Sequence, residues 1–437
     1  MHSWCFFRLC RVHCWYKHIL WYMYCMILNR YYCYNTTAAI TQTFSINSTI
    51  KDVLRYMNQS TLFITTPDEL KAFCAHVAQE GCVAIDTEFI REKTYYPQLC
   101  LIQMATHTQS AVVDPLACSS LCDLACLLED KSIIKVFFAC SQDIEVLYDA
   151  LGVVPKNVFD AQLAAAFLGY RYQLGYGALV EAMVGVHLPK TQALTDWSLR
   201  PLTEEQLKYA ADDVIYQPQM YTLLVRELTR TNRYAWFTHE MKQTLDDMLQ
   251  RRDPAQAFRH IKRVNNLTRK QLAIAKEVAL WRDDVARARN VPRKWILSDE
   301  VVIELCKLAP TTKNRALRIR SIDTLSNRDL EGLLAAIARG AAYVPEDCPQ
   351  SGRKERPSQD TESVLDLMYA LLRIIGAEEH IATQLVASRD DLFQFLKNPQ
   401  SSKLLQTWRY DIAGARLQEL LAGTIGLTVK DNHVELV

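Results

Sequence analysis

The stretch Cys82-Val83-Ala84-Ile85-Asp86-Thr87-Glu88-Phe89 decides the fold. Its apolar run follows Gly81 and is too short for a helix, which predicts a buried strand. The run ends in two carboxylates. Two residues apart on a strand, Asp86 and Glu88 point to one face, where two charges are costly unless something pairs with them. A divalent cation is a natural partner, because magnesium and manganese take oxygen ligands of this kind. The alternative is that Asp86 closes the strand end while Glu88 is solvated, and the pair alone does not choose between them.

Outward from this stretch, residues 67–80 read as a helix, and 99–105 and 111–114 as two more strands joined by a polar turn. Three consecutive strands predict an antiparallel meander. A helix over 121–128, a strand over 133–137, a helix over 141–151 and a strand over 158–160 then alternate, which makes the class α/β with a mixed sheet. Beyond Asp160 the pattern turns helical over 161–168, 176–184 and a long stretch from 203 to 228. Thr203 followed by Glu205 and Gln206 offers that last stretch an N-cap. Residues 267–340 keep helical periodicity, broken at Pro292 and Pro310. Residues 345–362, polar and Pro-rich, read as a linker. A second helical block spans 363–423, and 427–437 form a turn and a strand-like tail.

Two further acidic positions bear on the first pair. Asp143 opens a helix directly after a buried strand, where α/β folds place their sites; as a first-turn acid it would also simply suit the helix dipole. Tyr209 and Asp213 lie four apart and share a helix face, which is equally the pattern of a solvated acidic edge. Helical spacing from Tyr209 selects Asp213 over its neighbour Asp212.

Taken together, Asp86-Thr87-Glu88-Phe89, Cys140-Ser141-Gln142-Asp143 and Tyr209-x-x-x-Asp213 stand in the order and approximate spacing of the three exonuclease motifs of the DEDD superfamily, tyrosine subclass. The flanking stretches Pro97-Gln98-Leu99-Cys100-Leu101-Ile102-Gln103, Leu188-Pro189-Lys190 and Asp196-Trp197-Ser198-x-Arg200-Pro201 resemble ribonuclease D. The resemblance runs from about residue 60 to 224. One departure is Phe138, where relatives often carry His; with Asp143 intact it reads as tuning. The resemblance implies a ribonuclease H-like exonuclease fold in which Asp86, Glu88, Asp143 and Asp213 hold two divalent ions, Mg²⁺ or Mn²⁺, while Tyr209 orients the attacking water. It also suggests Lys190, Gln192 and Arg200 as contacts to substrate phosphates.

The block from residue 267 to 339 resembles the HRDC domain, quoted in Leu267-Thr268-Arg269-Lys270-Gln271-Leu272, Leu280-Trp281-Arg282-Asp283 and Asn290-Val291-Pro292. Arg287, Arg289, Arg293 and Lys294 form its candidate phosphate-binding cluster. Trp295 beside them reads as a buried anchor between helices in preference to a base-stacking platform. Residues 363–437 resemble a second, more diverged HRDC-type domain. The expected organisation is an atypical extension over 1–56, an exonuclease domain over 57–240, all-α HRDC-type domains over 258–340 and 363–437, and a linker over 341–362. Together the helical domains are expected to form a ring or funnel that leads a single-stranded 3′ end to the acidic site.

Charge agrees with this division. The whole chain of 437 residues carries a formal +1, but residues 61–240 hold 13 Lys/Arg against 22 Asp/Glu, and residues 258–340 hold 18 against 9. An acidic segment beside a basic one suits an enzyme that processes a polyanion, although two ordinary solvated surfaces would look alike. The 14 cysteines show no framework spacing and are expected as reduced thiols. Cys118, Cys122 and Cys126 recur every four residues without completing a zinc set, and read as buried small hydrophobes. In residues 1–56 the best apolar run, 15–28, contains Lys17 and His18 and is too short for a confident span. A signal peptide would need a clearer cleavage site; translation starting at Met57 is the preferred reading.

The expected function is a cytoplasmic, monomeric 3′→5′ exoribonuclease, without stable membrane association. It would trim RNA with single-stranded 3′ tails, transfer-RNA precursors above all, and release nucleoside 5′-monophosphates. A DNA 3′→5′ exonuclease and a non-catalytic nucleic-acid-binding protein are the alternatives.

Overall fold

The computed structural model describes residues 61–189, 195–350 and 356–437. The expectations for residues 1–56, and for Lys190 and Gln192, lie outside them. A six-stranded sheet organises the first part, with strands β1 (Thr61–Ile64), β2 (Cys82–Ile90), β3 (Gln98–Ala105), β4 (Ser110–Val113), β5 (Ile134–Phe137) and β6 (Val158–Asp160). Their order across the sheet is β1-β4-β3-β2-β5-β6. β2, β3 and β4 form the antiparallel meander, whereas β2, β5 and β6 are parallel neighbours, as are β1 and β4.

β2 is central and longer than its apolar run. It continues through Asp86 and Glu88 to Ile90, so the carboxylates lie within the strand rather than past its end. The β2/β3 register shifts between Glu88 and Phe89, an irregularity of the kind that re-aims side chains beside active sites. Helix Pro67–Glu80 is closed by a capping box between Thr66 and Glu69 and by Gly81 in the left-handed region. The long helical stretch after Thr203 is two helices, Glu204–Ile215 and Gln217–Arg230, meeting at Tyr216 ahead of Pro218. The first opens with the capping box of Thr203 and Gln206. A further helix, Tyr234–Arg251, leads away from the sheet.

The first helical domain is built on helix Arg269–Arg289, which packs against helix Asn327–Ala341 around buried Leu272, Val278, Val302, Leu305, Leu333 and Ile337. The close approach depends on Gly340, where an added Cβ would stand 2.5 Å from the Ile274 Cα. The second helical domain runs through helices Gln359–Glu378, Arg389–Lys397 and Ala415–Ala422 to the hairpin of β7 (Leu427–Lys430) and β8 (His433–Leu436). No helix of the described residues is long and apolar enough to cross a membrane.

Both helical domains dock on the sheet domain. The loop after β2 sends Tyr95 into the first, where its hydroxyl donates to the Asp283 carboxylate at 2.9 Å and accepts from Arg293 at 2.8 Å. The backbone N–H groups of Tyr95 and Tyr96 donate to the Asn290 side chain. The second domain is held by Arg409, paired with Glu240, and by Arg233, which donates to the carbonyls of Phe167 and His380. Trp408 packs between Phe167 and Trp236. Gly169, at φ +86°, lies against the His380 carbonyl, 2.9 Å from where a Cβ would sit.

Two expectations are corrected here. Cys122 and Cys126 are exposed, and only Cys118 of that series is buried, because Leu124, Leu127 and Leu128 form the inner face of helix Cys122–Glu129. Trp295 is 57% exposed rather than an anchor. Trp281, in helix Arg269–Arg289 and packed on the domain core, has the anchoring role, with Gly332 making room beside its indole.

Candidate active site

Asp86, Glu88 and Asp213 converge. One carboxylate oxygen from each lies within 4.8 Å of the others, although Asp213 comes from a helix more than 120 residues downstream. Helix Glu204–Ile215 crosses β2, β3 and β4, and its Ala210 packs on Leu101 and Val112. That packing sets the height at which Tyr209 and Asp213 face the strand. Tyr209 hydrogen-bonds the Asp213 carboxylate, and its ring rests against buried Trp197, with centroids 6.0 Å apart.

Asp143 arrives from the first turn of helix Ser141–Leu151, and is held beside the cluster by Thr87 Oγ1, which donates to it at 2.7 Å. The turn before that helix is fixed by Asp160. Its carboxylate accepts the N–H groups of Ala139 and Cys140 on one side and of Gln162 and Leu163 on the other. This ties down Ala139, which sits at φ 59°. Asp86, Glu88, Asp143 and Asp160 line a cleft of about 720 Å³, together with Phe138, Gln142 and Tyr172.

The electrostatics are those of anions gathered without enough counter-charge. Burial, then Asp143, Asp213 and Glu88, push the Asp86 carboxyl well above the ordinary range. Burial and the charges of Asp213 and Asp143 raise Glu88 to about 8. Burial raises Asp143 and Asp213 to about 7 each, against the hydrogen bonds from Thr87 and Tyr209. Burial and Asp213 raise the Tyr209 phenol, so it stays protonated and able to donate. Three converging carboxylates, with Asp143 beside them, are the kind of oxygen donors that hard divalent cations take, and the residues present fit such a centre.

The predicted basic contacts fare differently. Arg200 is committed to the fold. Its Nε and one terminal nitrogen clamp Asp114 at 2.6 and 2.8 Å, and its other N–H groups donate to the carbonyls of Cys100, Trp197 and Leu199. All five guanidinium donors are thereby used, which leaves none for a phosphate. Arg287 and Arg293 pair with Asp283, and Arg289 with Asp329, though each stays more than a third exposed. Lys294 is exposed and makes no ion pair among the described residues. Phe138 packs edge-on against Tyr176, a half-buried residue whose hydroxyl donates to the Asp212 carbonyl. Thr87, Asp160, Trp197 and Tyr176 were not distinguished as supports by sequence reasoning. Of these, Thr87 and Trp197 carried a signal, their places inside the motifs around Asp86 and Arg200.

Comparison with known proteins gives the family. The 3′-5′ exonuclease family matches residues 62–229, and the HRDC domain family matches 271–337. Ribonuclease D of Jannaschia sp. (strain CCS1) is 36% identical over 383 residues, covering 86% of this chain and 98% of the relative. Ribonuclease D of Acidiphilium cryptum (strain JF-5) is 34% identical over 380 residues, covering 86% and 97%. The crystal structure of Escherichia coli RNase D, an exoribonuclease involved in structured RNA processing, superposes with a TM-score of 0.71 at 29% identity, covering 84% of this chain and 99% of that one.

Proposed function

The chain belongs to the ribonuclease D family and is a divalent-metal-dependent 3′→5′ exoribonuclease; from that premise we propose that Asp86, Glu88, Asp143 and Asp213 hold two Mg²⁺ or Mn²⁺ ions. The observation that carries this reading is the convergence of Asp86 and Glu88 from β2 with Asp213 from helix Glu204–Ile215, Asp143 standing beside them, with Glu88, Asp143 and Asp213 raised by burial toward or past neutrality. Such a cluster is destabilising by itself and becomes favourable once cations neutralise it. When bound, the ions would supply charge neutralisation and a water of lowered pKa.

The chain's own residues account for the rest. Tyr209, braced by Trp197 and hydrogen-bonded to Asp213, would orient the attacking water through its hydroxyl oxygen. Thr87 fixes the direction of Asp143. Hydrolysis of the terminal phosphodiester by water breaks the bond to the 3′-oxygen, which leaves with a proton, and the phosphate stays on the released nucleoside 5′-monophosphate. The cleft beside the cluster, lined by Phe138, Gln142 and Tyr172, accepts the terminal nucleotide.

The substrate proposed is RNA with a single-stranded 3′ tail, transfer-RNA precursors in particular. Arg287, Arg289, Arg293 and Lys294 would approach its phosphates with their exposed edges. A cytoplasmic monomer goes with this reading. The test is release of mononucleotides from a tailed precursor transfer RNA and from a matched DNA, with and without Mn²⁺, by the intact chain and by Asp143→Asn. The expected result is metal-dependent release from RNA that the variant loses. Equal or faster release from DNA would transfer the reading to a DNA exonuclease, and RNA binding without release under any metal would leave a binding protein.

A further inference from the structure

Behind the carboxylates lies a polar side chain that neither the catalytic reading nor the fold uses. Gln103 on β3 is fully buried, and among the described residues neither its Nε2 nor its Oε1 has a hydrogen-bond partner. Buried amides are nearly always paired, because leaving water without a replacement bond is costly. Apolar residues that fit the same space are plentiful, so an orphaned amide here calls for a physical reason.

Position supplies one. In the antiparallel β2/β3 ladder Gln103 stands directly across from Asp86. Directly opposed residues project to the same face, with Cβ atoms about 4.5–5.5 Å apart. On its other side Gln103 is paired with Val112 of β4, and helix Glu204–Ile215 covers this face with Ala210. Neither Val112 nor Ala210 has a side-chain hydrogen-bonding group. Asp86 is therefore the polar neighbour set by the register. Thr87 also provides a backbone hydrogen bond to Asp86.

We propose that Gln103 is a positioning residue for Asp86: in the cation-loaded site its Nε2 donates to the Asp86 carboxylate and fixes that ligand's orientation. The inference rests on the metal-site reading given above. A carboxylate that ligates a cation keeps lone pairs free for a second donor, and such supporting hydrogen bonds hold ligands in direction. The Nε2 donor is thus unpaired in the metal-free chain and paired in the loaded one. Its placement links sheet register to metal affinity.

The test uses the full chain and Gln103→Met, which keeps length and removes both polar atoms. Mn²⁺ affinity is measured by calorimetry, with Asp86→Asn as a reference, and the metal-free melting temperature is recorded alongside. The expected result is affinity weakened by about 10–100-fold with a metal-free melting temperature unchanged or raised. Unchanged affinity in Gln103→Met overturns the inference. A lowered metal-free melting temperature overturns it as well, because the amide would then be supporting the fold. Absence of Mn²⁺ binding by the unaltered chain would instead remove the metal-site reading itself, and this inference with it.

Discussion

Asp86, Glu88, Asp143 and Asp213 share a thermodynamic signature that follows from their direction of shift. Each is raised in the folded chain, Glu88 to about 8 and Asp143 and Asp213 to about 7. Between the ordinary carboxylate range and those values the folded state binds more protons than the unfolded state, so stability falls as pH rises. Metal-free protein is expected to melt at progressively lower temperature from about pH 4 to pH 8. Saturating Mn²⁺ should flatten that slope, and melting curves across pH with and without metal check it. Asp86→Asn should raise the metal-free melting temperature while lowering turnover by on the order of 10³-fold or more. Arg200 makes the opposite case. Arg200→Ala leaves Asp114 buried without its cation, and should cost about 3 kcal/mol by denaturant titration with little change in KM for RNA. A large KM effect without loss of stability would return Arg200 to the substrate.

At the scale of elements, the sequence was most legible where one local pattern decides. The β2 stretch, the cap at Thr203 and the Tyr209/Asp213 spacing all follow from period and capping chemistry. What escaped was decided by partners distant in sequence. Nothing local to Arg200 shows that Asp114, on a strand end 86 residues earlier, uses its guanidinium. Nothing local to Trp295 shows that its short helix faces solvent. Likewise, the Cys122 and Cys126 spacing marks a helix face without saying which way that face turns. The β1 strand was missed because its four residues offer one buried side chain, Ile64. These assignments bear on experiment. Trp295→Ala should leave the melting temperature nearly unchanged and weaken RNA binding, whereas Trp281→Ala should cost about 3 kcal/mol or more. Gly340→Ala, which forces a Cβ into the Ile274 backbone, should destabilise the first helical domain by about 1–3 kcal/mol, seen as an earlier denaturant transition.

For the whole molecule, the contacts between domains are as specific as those within them. Arg409 and Glu240 are both largely buried where the second helical domain meets the sheet domain. Removing one partner strands the other, so Glu240→Ala should cost about 3–5 kcal/mol of stability and broaden or split the unfolding transition, which calorimetry would register. Both helical domains dock on the sheet domain through separate contacts, the first at Tyr95 and the second at Arg233 and Arg409.

The Tyr95 contact also bears on how the chain can be dissected. Its hydroxyl, its ring and its backbone N–H are all committed to the first helical domain, through Asp283, Arg293 and Asn290. The same loop continues directly from the strand that carries Asp86 and Glu88. Cutting the chain near residue 257 would therefore not release a self-sufficient catalytic fragment. It would leave a phenol and a loop stripped of their partners a few residues from the active centre, and a fragment's lost activity could be mistaken for lost RNA affinity. Modularity in this chain is a property of its sequence families more than of its mechanics.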